Sequence, residues 1–123
     1  MSRLYVSGPV TGRDNRNLDA FQSAQRALVD AGHTAIIPHQ IVPLSATHEK
    51  AMRACINDLT WWMGGFAYDG VALLEGWEAS DGACLERAVA VACGIPCKTV
   101  GEWLEEVRDD RGDGAVAPQL LPS

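Results

Sequence analysis

The chain has 123 residues, enough for one domain with a real core and too few for two. Its 16 Asp and Glu against 10 Lys and Arg argue against a broad face that grips a nucleic-acid polymer, while leaving room for a small anion in one local pocket. The four cysteines (Cys55, Cys84, Cys93, Cys97) include no CxxC pair and the three histidines complete no zinc pattern. No metal or cofactor is therefore expected. With no apolar leader and no run of membrane-spanning length, the expectation is a cytoplasmic protein with free thiols and no membrane contact.

Leu4-Tyr5-Val6 reads as a first strand, running into SGPVTG at residues 7–12. That loop has two readings: a tight turn punctuated by Gly-Pro, or a cradle in which glycines let backbone approach a ligand. Leu18, Phe21, Ala24, Leu28 and Ala31 then space themselves along one face of a helix over 17–31, closed by Gly32. A second strand, Thr34 to Ile37, is stopped by Pro38. Met52, Cys55, Ile56, Leu59 and Met63 form the stripe of a second helix over 47–63, ended by Gly64-Gly65.

Gly70 to Leu74 is a fully apolar third strand. Ser80 N-caps a helix running to Cys93 and closed by Gly94, Lys98 to Val100 is a fourth strand, and a short helix spans 102–108. Residues 1–108 are expected to form the domain, and 109–123, rich in Asp, Gly and Pro, a flexible or partner-docking tail. Apolar strands alternating with helices predict an α/β, Rossmann/flavodoxin-like three-layer fold, with a parallel sheet of four or five strands. Ligands in such sheets bind beyond the C-terminal strand ends, which nominates Ser7-Gly8-Pro9, Pro38-His39 and Glu75 to Gly82.

Chemistry concentrates on SDGACLE, residues 80–86. Glu86 has Ala83, Val89 and Ala90 as its neighbours on the helix face, an apolar stripe on which a carboxylate is costly unless paired. Either it sits at the stripe's edge against a surface cation, or it is a functional carboxylate aimed at the pocket. The free N–H groups from Ser80 to Ala83 suit an anion, although Asp81 would repel one if it faced the site. In NDLTWW, residues 57–62, Asp58 lies at the margin of the apolar stripe: a solvated acid, or a second carboxylate in the same pocket. Two carboxylates, one nucleophilic and one proton-handling, suit glycoside cleavage.

Taken together, LYVSG, DLTWW and SDGACLE resemble the nucleoside 2-deoxyribosyltransferase-like superfamily over roughly residues 3–100, nearest its 2'-deoxynucleoside 5'-phosphate N-hydrolase branch and related uncharacterised phage proteins. The resemblance implies an enzyme that cleaves the N-glycosidic bond of a (2'-deoxy)nucleoside 5'-monophosphate through a covalent glycosyl-Glu86. Asp58 would handle the proton of the leaving base or help orient the sugar, and Tyr5 would hold the Glu86 carboxylate. By itself Tyr5 is equally a packed strand tyrosine. Ser7, Gly8, Pro9, Thr11, Gly12 and Arg13 would cradle the phosphate together with Ser80 and Gly82. Pro9 and Thr11 depart from the branch's Ser and Arg, so Arg13 becomes the source of positive charge. His39, with Trp62, Trp61 or Trp77, would contact the base, although a histidine after a strand-ending proline is as often a plain loop residue. Base exchange by a deoxyribosyltransferase and a non-catalytic nucleotide-binding module are the alternatives. The resemblance also implies a homodimer or higher even assembly.

Overall fold

The computed structural model describes residues 2–112, with side chains through Glu106. Four strands, β1 (Arg3–Ser7), β2 (Thr34–Ile36), β3 (Gly70–Leu73) and β4 (Cys97–Thr99), alternate with four helices, α1 (Leu18–Asp30), α2 (His48–Thr60), α3 (Asp81–Ala92) and α4 (Val100–Gly112). The strands lie in the order β2-β1-β3-β4 and every pair is parallel. This is the expected three-layer α/β fold, with four strands. Strand order reverses between β1 and β3, and an open parallel sheet has its crevice at such a reversal.

Side-chain alternation along β1 sorts the two layers. Leu4 and Val6 face α1 and α4, packing with Phe21, Leu28, Ala72 and Trp103. Tyr5 and Ser7 point the other way; Tyr5 joins Cys55, Leu59, Tyr68, Val71 and Ala90, contributed largely by α2, β3 and α3. Trp103 donates its indole N–H to the Val71 carbonyl at 2.8 Å, pinning α4 to the middle of the sheet.

Several boundaries differ from the sequence expectation for local reasons. The second helix stops at Thr60, not Met63: the Thr60 hydroxyl donates back to the Ile56 carbonyl at 2.7 Å, and Trp61 turns extended at ψ 133°. Trp61, Trp62 and Met63 are thereby 49, 74 and 50% exposed, and the expected stripe loses its last member. The last helix begins at Val100 because Thr99 and Glu102 form a reciprocal cap: Thr99 N–H donates to Glu102 Oε1 (2.8 Å) and Glu102 N–H to Thr99 Oγ1 (3.1 Å). It runs on to Gly112, beyond the expected stop at Arg108. Of the expected tail, residues 113–123 lie outside the described residues. No described helix is long and apolar enough to cross a membrane.

Candidate active site

At the C-terminal ends of β1 and β3 lies a cavity of about 670 Å³, within the range of small-molecule sites. Its walls are the loop after β1 (Gly8 to Arg13, with Arg16), Pro38-His39 after β2, the first half of α2, and Ala79 to Ala83 with Glu86 of α3. All three nominated strand ends contribute. The exceptions are Ser7, which lies behind the wall, and Glu75 to Glu78, which border a separate hollow beside Val100 and Gly101.

Glu86 sits at the floor of the cavity, only 5% exposed, and two hydroxyls from β1 hold it. Tyr5 donates to Oε2 and Ser7 to Oε1, each at 2.7 Å. The two donors are alternate residues of one strand and so share a face, which lets each serve a different oxygen. A carboxylate accepts at about four positions, so each oxygen keeps acceptor capacity beyond these bonds. Burial pushes the Glu86 pKa up, and the Ser7 and Tyr5 hydrogen bonds pull against it. Burial first, and then the adjacent Glu86 charge, hold the Tyr5 phenol well above its usual range, so it stays a donor. Of the two readings of Glu86, the structure rejects the surface ion pair. Of those of Tyr5, it shows the hydrogen bond. Ser7, expected among ligand contacts, engages Glu86 instead.

Asp58 does not line the cavity. It accepts a 2.5 Å hydrogen bond from Tyr68, whose ring meets Tyr5 edge-on at 5.5 Å and lies under the Arg3 guanidinium at 4.8 Å. The expected pair of carboxylates in one pocket is not formed by Asp58; the second carboxylate on the wall is Asp81. Neither Trp62 nor Trp61 reaches the cavity, because the chain leaves α2 before them. Trp77 borders the separate hollow and stacks beneath Arg87 at 5.4 Å.

The remaining expected residues, Gly8, Pro9, Thr11, Gly12, Arg13, His39, Ser80 and Gly82, all line the cavity. For two glycines the physical reason differs from ligand approach. A Cβ on Gly8 would stand 2.7 Å from Leu74 Cβ, and one on Gly82 would stand 3.2 Å from Met52 Sδ. Gly8 seats the loop on the strand end, and Gly82 lets α2 close over α3. The Ser80 hydroxyl accepts from the Ala83 N–H at 3.2 Å as the expected N-cap.

Sequence reasoning passed over Arg16, His48, Met52 and Cys55 as wall residues. Cys55 and Met52 belong to the expected core stripe, and Cys55 is shared between core and wall. Burial pushes its thiol up to about 11. Arg16 belongs to three consecutive left-handed residues, Asn15 (φ 49°), Arg16 (φ 54°) and Asn17 (φ 61°). Asparagine tolerates this region; for arginine it costs about 1–2 kcal/mol. The Arg16 carbonyl accepts from His39 Nε2 at 2.9 Å, and Asn17 Nδ2 donates to the Pro9 carbonyl at 2.9 Å. Thus Nε2 of His39, a residue read as a base contact, is engaged in bracing the loop. No described carboxylate pairs with Arg13 or Arg16.

Residues 2–99 match the family described as Domain of unknown function (DUF4406), which is related to nucleoside 2-deoxyribosyltransferase-like proteins. No curated protein and no solved structure matches the chain.

Proposed function

This chain belongs to the DUF4406 family, and from that premise we propose that it is an N-glycosidase acting on a (2'-deoxy)nucleoside 5'-monophosphate. The observation that carries the reading is Glu86, a buried carboxylate held on both oxygens by Tyr5 and Ser7 at the floor of a nucleotide-sized cavity. In this reading one Glu86 oxygen attacks C1' of the sugar as the C1'–N bond breaks. The bonding pair leaves with the base, which takes up a proton. Water then attacks C1', freeing Glu86 and the sugar phosphate. Tyr5 and Ser7 fix the direction of the carboxylate through both steps and help to keep it ionised against the cost of burial. Arg13 and the start of α3 supply the positive surroundings for the phosphate. With Asp58 engaged by Tyr68, the proton for the leaving base is assigned to the cavity wall or water.

The exposed Trp61, Trp62, Met63 and Phe66 support a further element of the proposal, association with a second copy of the chain. Light scattering that finds only monomer at working concentration would remove it.

The test is product analysis by liquid chromatography on ribo- and deoxynucleosides and their 5'-monophosphates, each with and without a second free base. Base release from monophosphates that Glu86→Gln abolishes is the expected result. A new nucleoside formed only when the second base is present would move the protein to base exchange. Tight nucleotide binding without turnover would make it a binding module.

A further inference from the structure

The segment that the glycosidase reading leaves unexplained is the left-handed turn over Asn15, Arg16 and Asn17. A backbone conformation unfavourable for arginine persists only when its surroundings hold it there, and here they do. His39 Nε2 faces the Arg16 carbonyl; a carbonyl can only accept, so the proton is on Nε2. The His39 ring is itself fixed edge-on against Phe21 at 4.8 Å. From the other side Asn17 ties the turn to the Pro9 carbonyl, and the Arg16 N–H donates to the Arg13 carbonyl at 3.0 Å.

What this bracing delivers is charge. The chain carries a formal −6, so an anionic ligand approaches against the overall sign of the protein. Arg13 and Arg16 both line the cavity and neither pairs with a described carboxylate. Arg13 is exposed and Arg16 half-buried, where a charge is less screened by solvent.

We infer that Arg16 is a specificity-determining residue: the strained turn holds it at the cavity so that it and Arg13 together match the two negative charges of a phosphomonoester. The inference rests on the nucleotide reading for the identity of the ligand. A single guanidinium would serve a carboxylate or phosphodiester as well; two favour a dianion. His39 is the positioning residue of this arrangement, acting through the Arg16 carbonyl.

Strain and charge separate experimentally. The probe is inorganic phosphate, titrated against the full chain at ionic strength matched with chloride and followed by thermal melting and calorimetry. Arg16→Gly removes strain and charge together: the phosphate-free protein should melt higher than the native one, while phosphate affinity falls roughly tenfold or more. Arg16→Lys keeps the strained backbone and a positive charge, and should melt like the native protein. His39→Ala should melt lower and lose phosphate affinity, with recovery of both in His39→Gln, whose amide can still donate. An unchanged or lowered melting temperature in Arg16→Gly overturns the inference, as does undiminished phosphate affinity or a native protein indifferent to phosphate. An Arg16-dependent phosphate response without base release from any nucleotide would sink the glycosidase reading and leave the inference standing. Base release from monophosphates with an unaltered Michaelis constant in Arg16→Gly would do the reverse.

Discussion

Tyr5→Phe isolates the contact on which the candidate site depends. The substitution keeps the ring, and with it the edge contact to Tyr68, and deletes only the hydroxyl that donates to Glu86 Oε2 at 2.7 Å. A buried hydrogen bond to a charged acceptor is worth about 1.5–3 kcal/mol, which at roughly 3–5 °C per kcal/mol for a domain of this size lowers the melting temperature by about 5–15 °C. The same loss appears as proton affinity. Glu86 is already raised by burial, and removing a donor to its ionised form raises it further. Both proteins therefore lose stability as pH rises above the ordinary carboxylate range. The native protein levels off once pH passes its raised Glu86 pKa, and the variant levels off at a higher pH still. The deficit of the variant is thus small at low pH, where Glu86 is protonated in both, and full above both plateaus. Urea denaturation from pH 4 to 9 reads the gap directly. A deficit of equal size at both ends of that range, or none at all, would refute the claim that Tyr5 holds an ionised Glu86.

Gly8→Ala places a Cβ 2.7 Å from Leu74 Cβ and should cost about 1–3 kcal/mol in urea denaturation. Trp103→Phe leaves the Val71 carbonyl without its 2.8 Å donor; a loss of about 1–3 kcal/mol is expected, measured in the same way. With an alkylating reagent at pH 8, the exposed Cys84 and Cys93 should label first. Buried Cys55, its thiol pushed up to about 11, should label only on unfolding, as mass spectrometry of digested protein would show.

The sheet was legible because its central strands, β1 and β3, are almost wholly buried and its helices carry spaced stripes, the signature of parallel strands between two layers. Glu86 was legible for a related reason: a charge on an apolar stripe stands out against its neighbours. Its partners were less so. Tyr5 entered through family resemblance, and Ser7 looked like a loop residue because strand and loop meet at that position. Asp58 was misplaced because its partner, Tyr68, lies in a stretch without periodicity, where no sequence rule relates it to α2. The end of α2 was overrun because Trp61, Trp62 and Met63 prolong an apolar pattern, while the local back-bond from Thr60 that ends the helix leaves no such pattern. Least visible was the left-handed turn: Asn15 and Asn17 allow it, but what holds Arg16 there is His39, 23 residues along the chain.

The position of β1 in the chain has a consequence for synthesis. Tyr5 and Ser7 are made before the carboxylate they hold, which comes 81 and 79 residues later. At about 5–20 residues per second, several seconds separate the emergence of the hydroxyls from that of their acceptor. During that interval β1 can pair with β2, but its other edge remains open until β3 emerges and closes it. A nascent chain cut short before β3 therefore carries a bare strand edge beside two hydroxyls with no partner. In such a fragment the strand that will hold Glu86 is also an exposed edge prone to aggregate.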